Sequence, residues 1–198
     1  MAEGRRDRAA SVPLRLSFGA RPGRRAFLAG CLFVPALPGA TEGKRGVPPI
    51  AVLVRHAEKA ADDPKDPSLS GEGRARAEAL SLMLGRAGVT HLFCSEFRRT
   101  RETLAPLASK TGLEPLVREA SDGRGLASAL RALPAAAIAV VAGHSNTVPA
   151  LARELGAAPG GLSAEGHLDD GEYDRLLVVA VGREEGESSA FLDLRYGS

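Results

Sequence analysis

The chain is 198 residues long, 44% hydrophobic and 25% charged, enough for one well-buried globular domain with an appendage and too little for two full domains. Tryptophan is absent and aromatic residues make up 4%, which argues against a ring-stacking surface for single-stranded nucleic acid. The net charge of +2 is unevenly spread: residues 1–40 carry seven arginines against Glu3 and Asp7, a balance of +5, which leaves −3 for residues 41–198.

The basic end reads RPGRRAFLAGCLFVPALPGAT, with Arg24 and Arg25 followed by a chargeless run from Ala26 to Thr41 that closes on the small residues Gly39 and Ala40. That is the layout of an export signal, and RRAFL resembles the twin-arginine kind that carries folded proteins across a bacterial inner membrane. A permanent anchor is the poorer reading, because a span needs ~20 apolar residues and this run is shorter and broken by Pro35 and Pro38. The lipoprotein-like LAGC, Leu28 to Cys31, follows the arginines too closely to leave a hydrophobic segment before it. A disordered basic tail is the plain alternative. The expected organisation is a basic export signal and linker over 1–46 and one domain over 47–198, with the protein exported to the periplasm, or cytoplasmic if the N-terminus is not a true signal. With the leader removed Cys94 is the one cysteine left, so neither an intramolecular disulfide nor a cysteine-based metal cage can form.

After the Gly/Pro-rich joint PGATEGKRGVPP, short apolar runs alternate with helical stretches. IAVLV (50–54) does not alternate with polar residues and reads as a strand buried on both faces. The Asp/Pro-rich loop DDPKDPS follows, and Ser70 caps a helix from about Gly71 to Gly88, where Ala75, Ala79 and Met83, with Leu80, Leu84 and Ala87, recur at helical spacing. VTHLFCS (89–95) is a second strand, and 96–112 a second helix with Pro106 as a kink point. LEPLVRE is a weaker strand, 125–133 a short helix, and AAIAVVA (136–142) a third confident strand that runs into GHSNTVPALARELG, a turn and a helix with Val148, Leu151, Ala152 and Leu155 on one face. Runs at 174–181 and 190–196 form a terminal hairpin. The pattern predicts an α/β fold: a single three-layer α/β/α domain with a mostly parallel central sheet.

In such a sheet the site lies beyond the carboxyl ends of the strands. The residues placed there are Arg55 and His56 after the first strand, Ser95, Arg98 and Arg99 after the second, and Gly143, His144 and Ser145 after the central one. Two histidines with two or more arginines suit a phosphate: the guanidinium fork matches two phosphate oxygens, and the helix opening near Asn146 adds its positive end. A neutral imidazole can carry a phosphoryl group covalently, while a second, protonated histidine with the arginines holds the charge on the transferring oxygens. Each of these residues alone is more often a solvated loop residue, and Arg98 can simply pair with Glu102 one helical turn on. His91 and His167 read as structural or solvent-exposed. The coincidence of several strand ends carries the functional reading.

RHAEK, DPSLSGEGRARA, SEFRRTRET and VVAGHSNTVP together resemble the histidine phosphatase superfamily, also called phosphoglycerate-mutase-like, and in particular its compact bacterial phosphatases, from Ile50 to about Val181. The resemblance implies that His56 is the phosphorylated nucleophile, Arg55 its phosphate-binding neighbour, Arg99 the arginine of the Ser-x-x-x-Arg segment, and His144 the second histidine contacting the phosphoryl group. It implies a general acid after the third strand, where Glu119 stands with Asp122 close by; Ser145 occupies the position where another branch has its aspartate. Glu58, Ser145 and Asn146 are candidates for substrate contact, Glu58 also for support of the residues that touch it. The usual glycine after the nucleophile is Ala57, and there is little room for the insertions of mutases, so the chain resembles a phosphatase more than a mutase. The activity so implied is phosphomonoester hydrolysis through a phosphohistidine, without metal or other cofactor, on a phosphorylated small molecule, lipid headgroup or phosphoprotein. Nucleic acid and a stable membrane anchor are not expected. Such chemistry needs a neutral His56 and gains from a cationic His144, so activity is expected to fall on both sides of an optimum.

Rival readings fit less well. AIAVVAGHSNT approaches a nucleophile elbow with Ser145, but Thr147 replaces the last glycine and only His167 follows, with no aspartate between. GATEGKR is too short for a P-loop and lacks its Ser/Thr, and no histidine pair has zinc-site spacing. The main non-enzymatic alternatives are a phospho-ligand binding module that kept the pocket and lost turnover and, within the enzymes, a phosphatase of phosphohistidine proteins.

Overall fold

The computed structural model describes residues 46–197. The expected export signal and its twin-arginine motif lie outside the described residues. Within them, ten elements follow in order: β1 (Ile50–Arg55), α1 (Gly71–Leu84), β2 (His91–Cys94), α2 (Arg98–Thr111), β3 (Leu116–Val117), α3 (Gly123–Arg131), β4 (Ile138–Gly143), α4 (Thr147–Glu154), β5 (Arg175–Ala180) and β6 (Phe191–Arg195). They build one six-stranded sheet in the order β3-β2-β4-β1-β5-β6. β1 and β4, β2 and β4, and β2 and β3 pair in parallel, whereas β5 runs antiparallel to both β1 and β6. The sheet is therefore mixed, with the expected parallel half and the terminal hairpin added to its other side.

The period-two pleat of the central strands explains their continuous apolar sequence, because each face meets its own layer of helices. Val52, Val54, Leu92, Cys94, Val140 and Ala142 face one core with Leu80 and Leu84 of α1 and Leu104 and Leu107 of α2. Ala51, Leu53, Phe93, Ala139 and Val141 face the other, with Ala127 and Leu130 of α3 and Val148, Leu151 and Ala152 of α4. This is the three-layer architecture that the alternation of elements predicts. No helix among the described residues is long and apolar enough to cross a membrane.

Several boundaries differ from the sequence expectation. Ser70 does cap α1, its Oγ accepting from Gly73 N at 3.0 Å, but the helix ends at Leu84, before Gly88. The reason is Gly85, whose N–H closes the last turn on Ser81 O while the Lys110 stem packs where a Cβ would stand. The third strand contracts to two exposed residues at the sheet edge, since only β2 pairs with it. α3 begins at Gly123, earlier than the apolar pattern suggests, because the Asp122 side chain accepts from Gly125 N and caps the helix. α2 runs unbroken through Pro106, anchored on either side by the buried Leu104 and Leu107.

Candidate active site

Register brings the strand ends together. Arg55 of β1 pairs with Gly143 of β4, and Cys94 of β2 with Ala142. The next residue of each chain is thus His56, His144 and Ser95, side by side at one rim. His56 N donates to Gly143 O at 2.8 Å, and the two imidazole centroids lie 5.4 Å apart. A pocket of about 590 Å³ opens over them, lined by Arg55, His56, Arg99, His144, Ser145 and Asn146 among others.

Each floor residue is fixed by a partner, and for His56 that partner leaves Nε2 free. His56 is 5% exposed, and its Nδ1 lies 2.9 Å from Ala57 O. A carbonyl can only accept, so Nδ1 carries the proton and Nε2 keeps its lone pair. Ala57 N in turn donates to Thr103 Oγ1 at 2.9 Å, tying the turn after His56 to α2. Glycine at position 73 is required by the same turn, because a Cβ there would stand 2.1 Å from Glu58 O. His144 is held through Ser95 Oγ, 3.0 Å from its Nε2, and by its own N–H on Thr147 Oγ1 at 2.8 Å. Ser95 Oγ also meets Thr100 Oγ1 at 2.9 Å. A Cβ on Gly143 would press on Thr147 Oγ1 at 2.8 Å, so that glycine lets α4 start hard against the strand end.

The two arginines are placed differently. Arg55 donates through Nη1 to the carbonyls of Asp169 and Asp170, at 2.8 and 3.0 Å, and its guanidinium stacks on Tyr173 at 4.1 Å. Its Nε is buried with no hydrogen-bond partner among the described residues, a donor that favours an anion. Arg99 lies over Phe97 at 4.4 Å, pairs with Asp66 at 3.7 Å and reaches His144 Nδ1 through Nη2 at 3.4 Å. Arg98, by contrast, forms the pair with Glu102 anticipated from their spacing, at 2.6 Å, and stays out of the pocket.

Burial pushes the His56 pKa down to about 3, with the charges of His144, Arg55 and Arg99 adding to it and the Ala57 hydrogen bond opposing. Burial likewise pushes His144 down to about 4, followed by the charge of Arg99. Both imidazoles are therefore neutral at pH 7. For His56 this is the nucleophilic form. For His144 it corrects the expectation of a standing cation: its Nδ1 faces a guanidinium, so cationic charge there requires an arriving anion.

Two other expected residues are not brought in. Glu58 turns away to α1, where Arg76 holds it through Nε at 2.7 Å and Nη2 at 2.6 Å, so it supports the turn after His56 from behind. Glu119 is exposed and lines a smaller neighbouring cavity with Ser95 and Gly143, while the two residues after it, Ala120 and Ser121, line the histidine pocket. Asp122 is engaged as the cap of α3. The carboxylate residue among those lining the histidine pocket is Asp170, from the loop before β5. Asp170, Tyr173, Thr103 and the pocket's Lys59 and Lys65 escaped sequence reasoning. Thr100 and Thr103 did leave a signal, as two hydroxyls three residues apart on the helix face that buries Leu104 and Leu107.

Comparison with known proteins follows this geometry. Residues 51–122 match the model of the histidine phosphatase superfamily (branch 1). The structure of the protein histidine phosphatase SixA complexed with tungstate is similar with a TM-score of 0.58 and 18% identity, over 74% of this chain and 96% of that one. Mycobacterial glucosyl-3-phosphoglycerate phosphatase is similar in its native structure with a TM-score of 0.56 and 18% identity, over 74% and 97%. Its complex with inorganic phosphate gives 0.50 and 18%, over 75% and 97%. No curated protein sequence matches the chain. The fold is that of these phosphatases, and the chain resembles the superfamily as its motifs predict.

Proposed function

We propose that this chain is a histidine phosphatase that hydrolyses phosphomonoesters through a phosphohistidine on His56. The observation that carries the reading is the His56 ring: buried, neutral, with Nδ1 committed to Ala57 O and Nε2 left to attack. Nε2 forms a bond to phosphorus as the bond from phosphorus to the ester oxygen breaks. Arg55, Arg99 and His144, with the positive end of α4 near Ser145 and Asn146, stabilise the charge on the transferring oxygens. Asp170 is the proposed proton donor to the leaving oxygen in place of Glu119, because it lines the pocket. Water then attacks phosphorus, the bond to Nε2 breaks, and phosphate leaves.

An arriving phosphoryl dianion reverses the electrostatics at His144, favouring its protonated form, so binding takes up a proton. We assign no step to a metal: the guanidiniums of Arg55 and Arg99, with His144 once a bound anion favours its protonated form, supply the charge that a cation would. Among the described residues no three His, Cys, Asp or Glu side chains gather to hold one. We further propose export, on the strength of the RRAFL leader.

A trapping experiment tests the function. Protein incubated with an aryl phosphate and quenched at alkaline pH is expected to carry acid-labile phosphate on His56, to turn over with chelator present, and to lose both in His56→Ala. No adduct and no turnover in folded protein would leave a binding module. On an alkyl phosphate, Asp170→Asn is expected to lower kcat by at least ~10-fold while Glu119→Gln stays within about twofold; the reverse ranking would restore Glu119 as the acid.

A further inference from the structure

We infer that the pocket is made for a small substrate carrying a second anionic group besides its phosphoryl group, and that Lys59 and Lys65 receive that group. The inference rests on the phosphatase reading for its first anion and adds the second.

Both lysines line the same pocket as His56 and His144. Both are exposed, and neither is among the nine ion pairs of the described residues. Their loop looks acidic in sequence, with Asp62, Asp63 and Asp66 around Lys65. Folding spends those carboxylates on the loop itself. Asp62 accepts from Ser68 N at 3.0 Å and Oγ at 2.7 Å, and Asp63 from Lys65 N at 2.7 Å and Asp66 N at 3.1 Å. Asp66 accepts from Arg98 N at 2.8 Å and pairs with Arg99. The acids act as ties within the loop and to Arg98 and Arg99, and the two lysines line the pocket without an ion-pair partner among the described residues.

The frame holding them is stiff. Lys59 bridges Leu69 in antiparallel fashion, Ala60 N donates to Ser68 O at 2.8 Å, and Pro64 and Pro67 of the same loop line the pocket with the lysines. A stiff frame lowers the cost of presenting two long side chains to one ligand. The floor cannot serve the second anion: Arg99 is partly neutralised by Asp66 and Arg55 Nη1 is taken up by carbonyls. A volume of about 590 Å³ exceeds what one phosphoryl group fills and suits a small molecule. The chain beyond residue 40 is net negative, so this basic mouth is a local feature and not the spill of a general positive field.

The test is calorimetric titration at fixed ionic strength with inorganic phosphate, methylenebisphosphonate and phosphonoacetate, which present no second anion, a phosphonate or a carboxylate. The wild-type protein is expected to bind at least one two-headed ligand more tightly than phosphate. In the Lys59→Gln/Lys65→Gln variant that preference should shrink by about two- to thirtyfold, the range for two exposed charge pairs. Which ligand gains in the wild type distinguishes a second phosphate from a carboxylate. A preference that is absent in the wild type, or unchanged in the variant, overturns the inference. Aryl phosphate turnover by the same wild-type preparation reports separately on the hydrolase reading, since the binding ratio needs no catalysis.

Discussion

The pocket has a floor and a mouth, and they are built on opposite principles. The floor residues Arg55, His56 and His144 are each no more than 8% exposed and stand on consecutive parallel strands, their positions set by sheet register. The mouth residues Lys59, Lys65, Asn146 and Asp170 are exposed and come from three connections. A sheet fixes a few side chains to within a fraction of an ångström and cannot vary them without refolding. Loops can vary freely, so we place phosphoryl transfer on the floor and choice of substrate at the mouth, with Asp170, the proposed proton donor, as the mouth's one contribution to the chemistry.

The strongest way to break this division is to alter the floor by the smallest chemical step. Arg99→Lys keeps the charge and loses the planar fork over Phe97, and is expected to lower kcat by ~100- to 1,000-fold. Steady-state kinetics on an aryl phosphate measure it, and a loss confined to KM would move Arg99 to the mouth.

A smaller effect should come from the layer beneath the floor. Thr103→Val removes the acceptor of Ala57 N in a fully buried site and is expected to cost about 1–3 kcal/mol of stability, read by urea denaturation, together with part of kcat. Equal stability with full activity would show that the nucleophile's turn holds itself.

A pH series sharpens the electrostatic side of the comparison. His56 and His144 have folded pKa values below the ordinary histidine value, so between about pH 4 and 6.5 the unfolded chain binds more protons than the folded one. Stability is expected to be level above pH 6.5 and to fall as the pH drops through that window, with a ceiling of ~1.4 kcal/mol per pH unit for each histidine. In His144→Ala the slope should diminish by its share. An unchanged slope would assign the acid limb to other groups.

The legible and illegible parts of the site divide along the same line. His56, Arg55, Arg99 and His144 could be placed from sequence because apolar runs such as IAVLV and AIAVVA end abruptly in charged or aromatic residues. Parallel strands then have only one rim at which to collect them. Glu119 follows the third strand as expected, yet it faces the neighbouring cavity while the next two residues, Ala120 and Ser121, line the histidine pocket, a turn that no sequence period records. For Glu58 the sequence leaves substrate contact and support of its neighbours open, and Arg76, eighteen residues on, decides for support.

By itself the sequence determined the layers, the central strands and the reactive rim, since these follow from short-range periodicity and from the rule that helices cover both faces of a parallel sheet. Tertiary structure alone decided the rest. Asp170 lines the pocket and Tyr173 stacks on Arg55 because Arg55 holds a loop more than a hundred residues away. The acidic loop presents lysines because its carboxylates find backbone N–H groups to satisfy. Both outcomes depend on which polar groups find partners when distant segments close, and no local pattern records that.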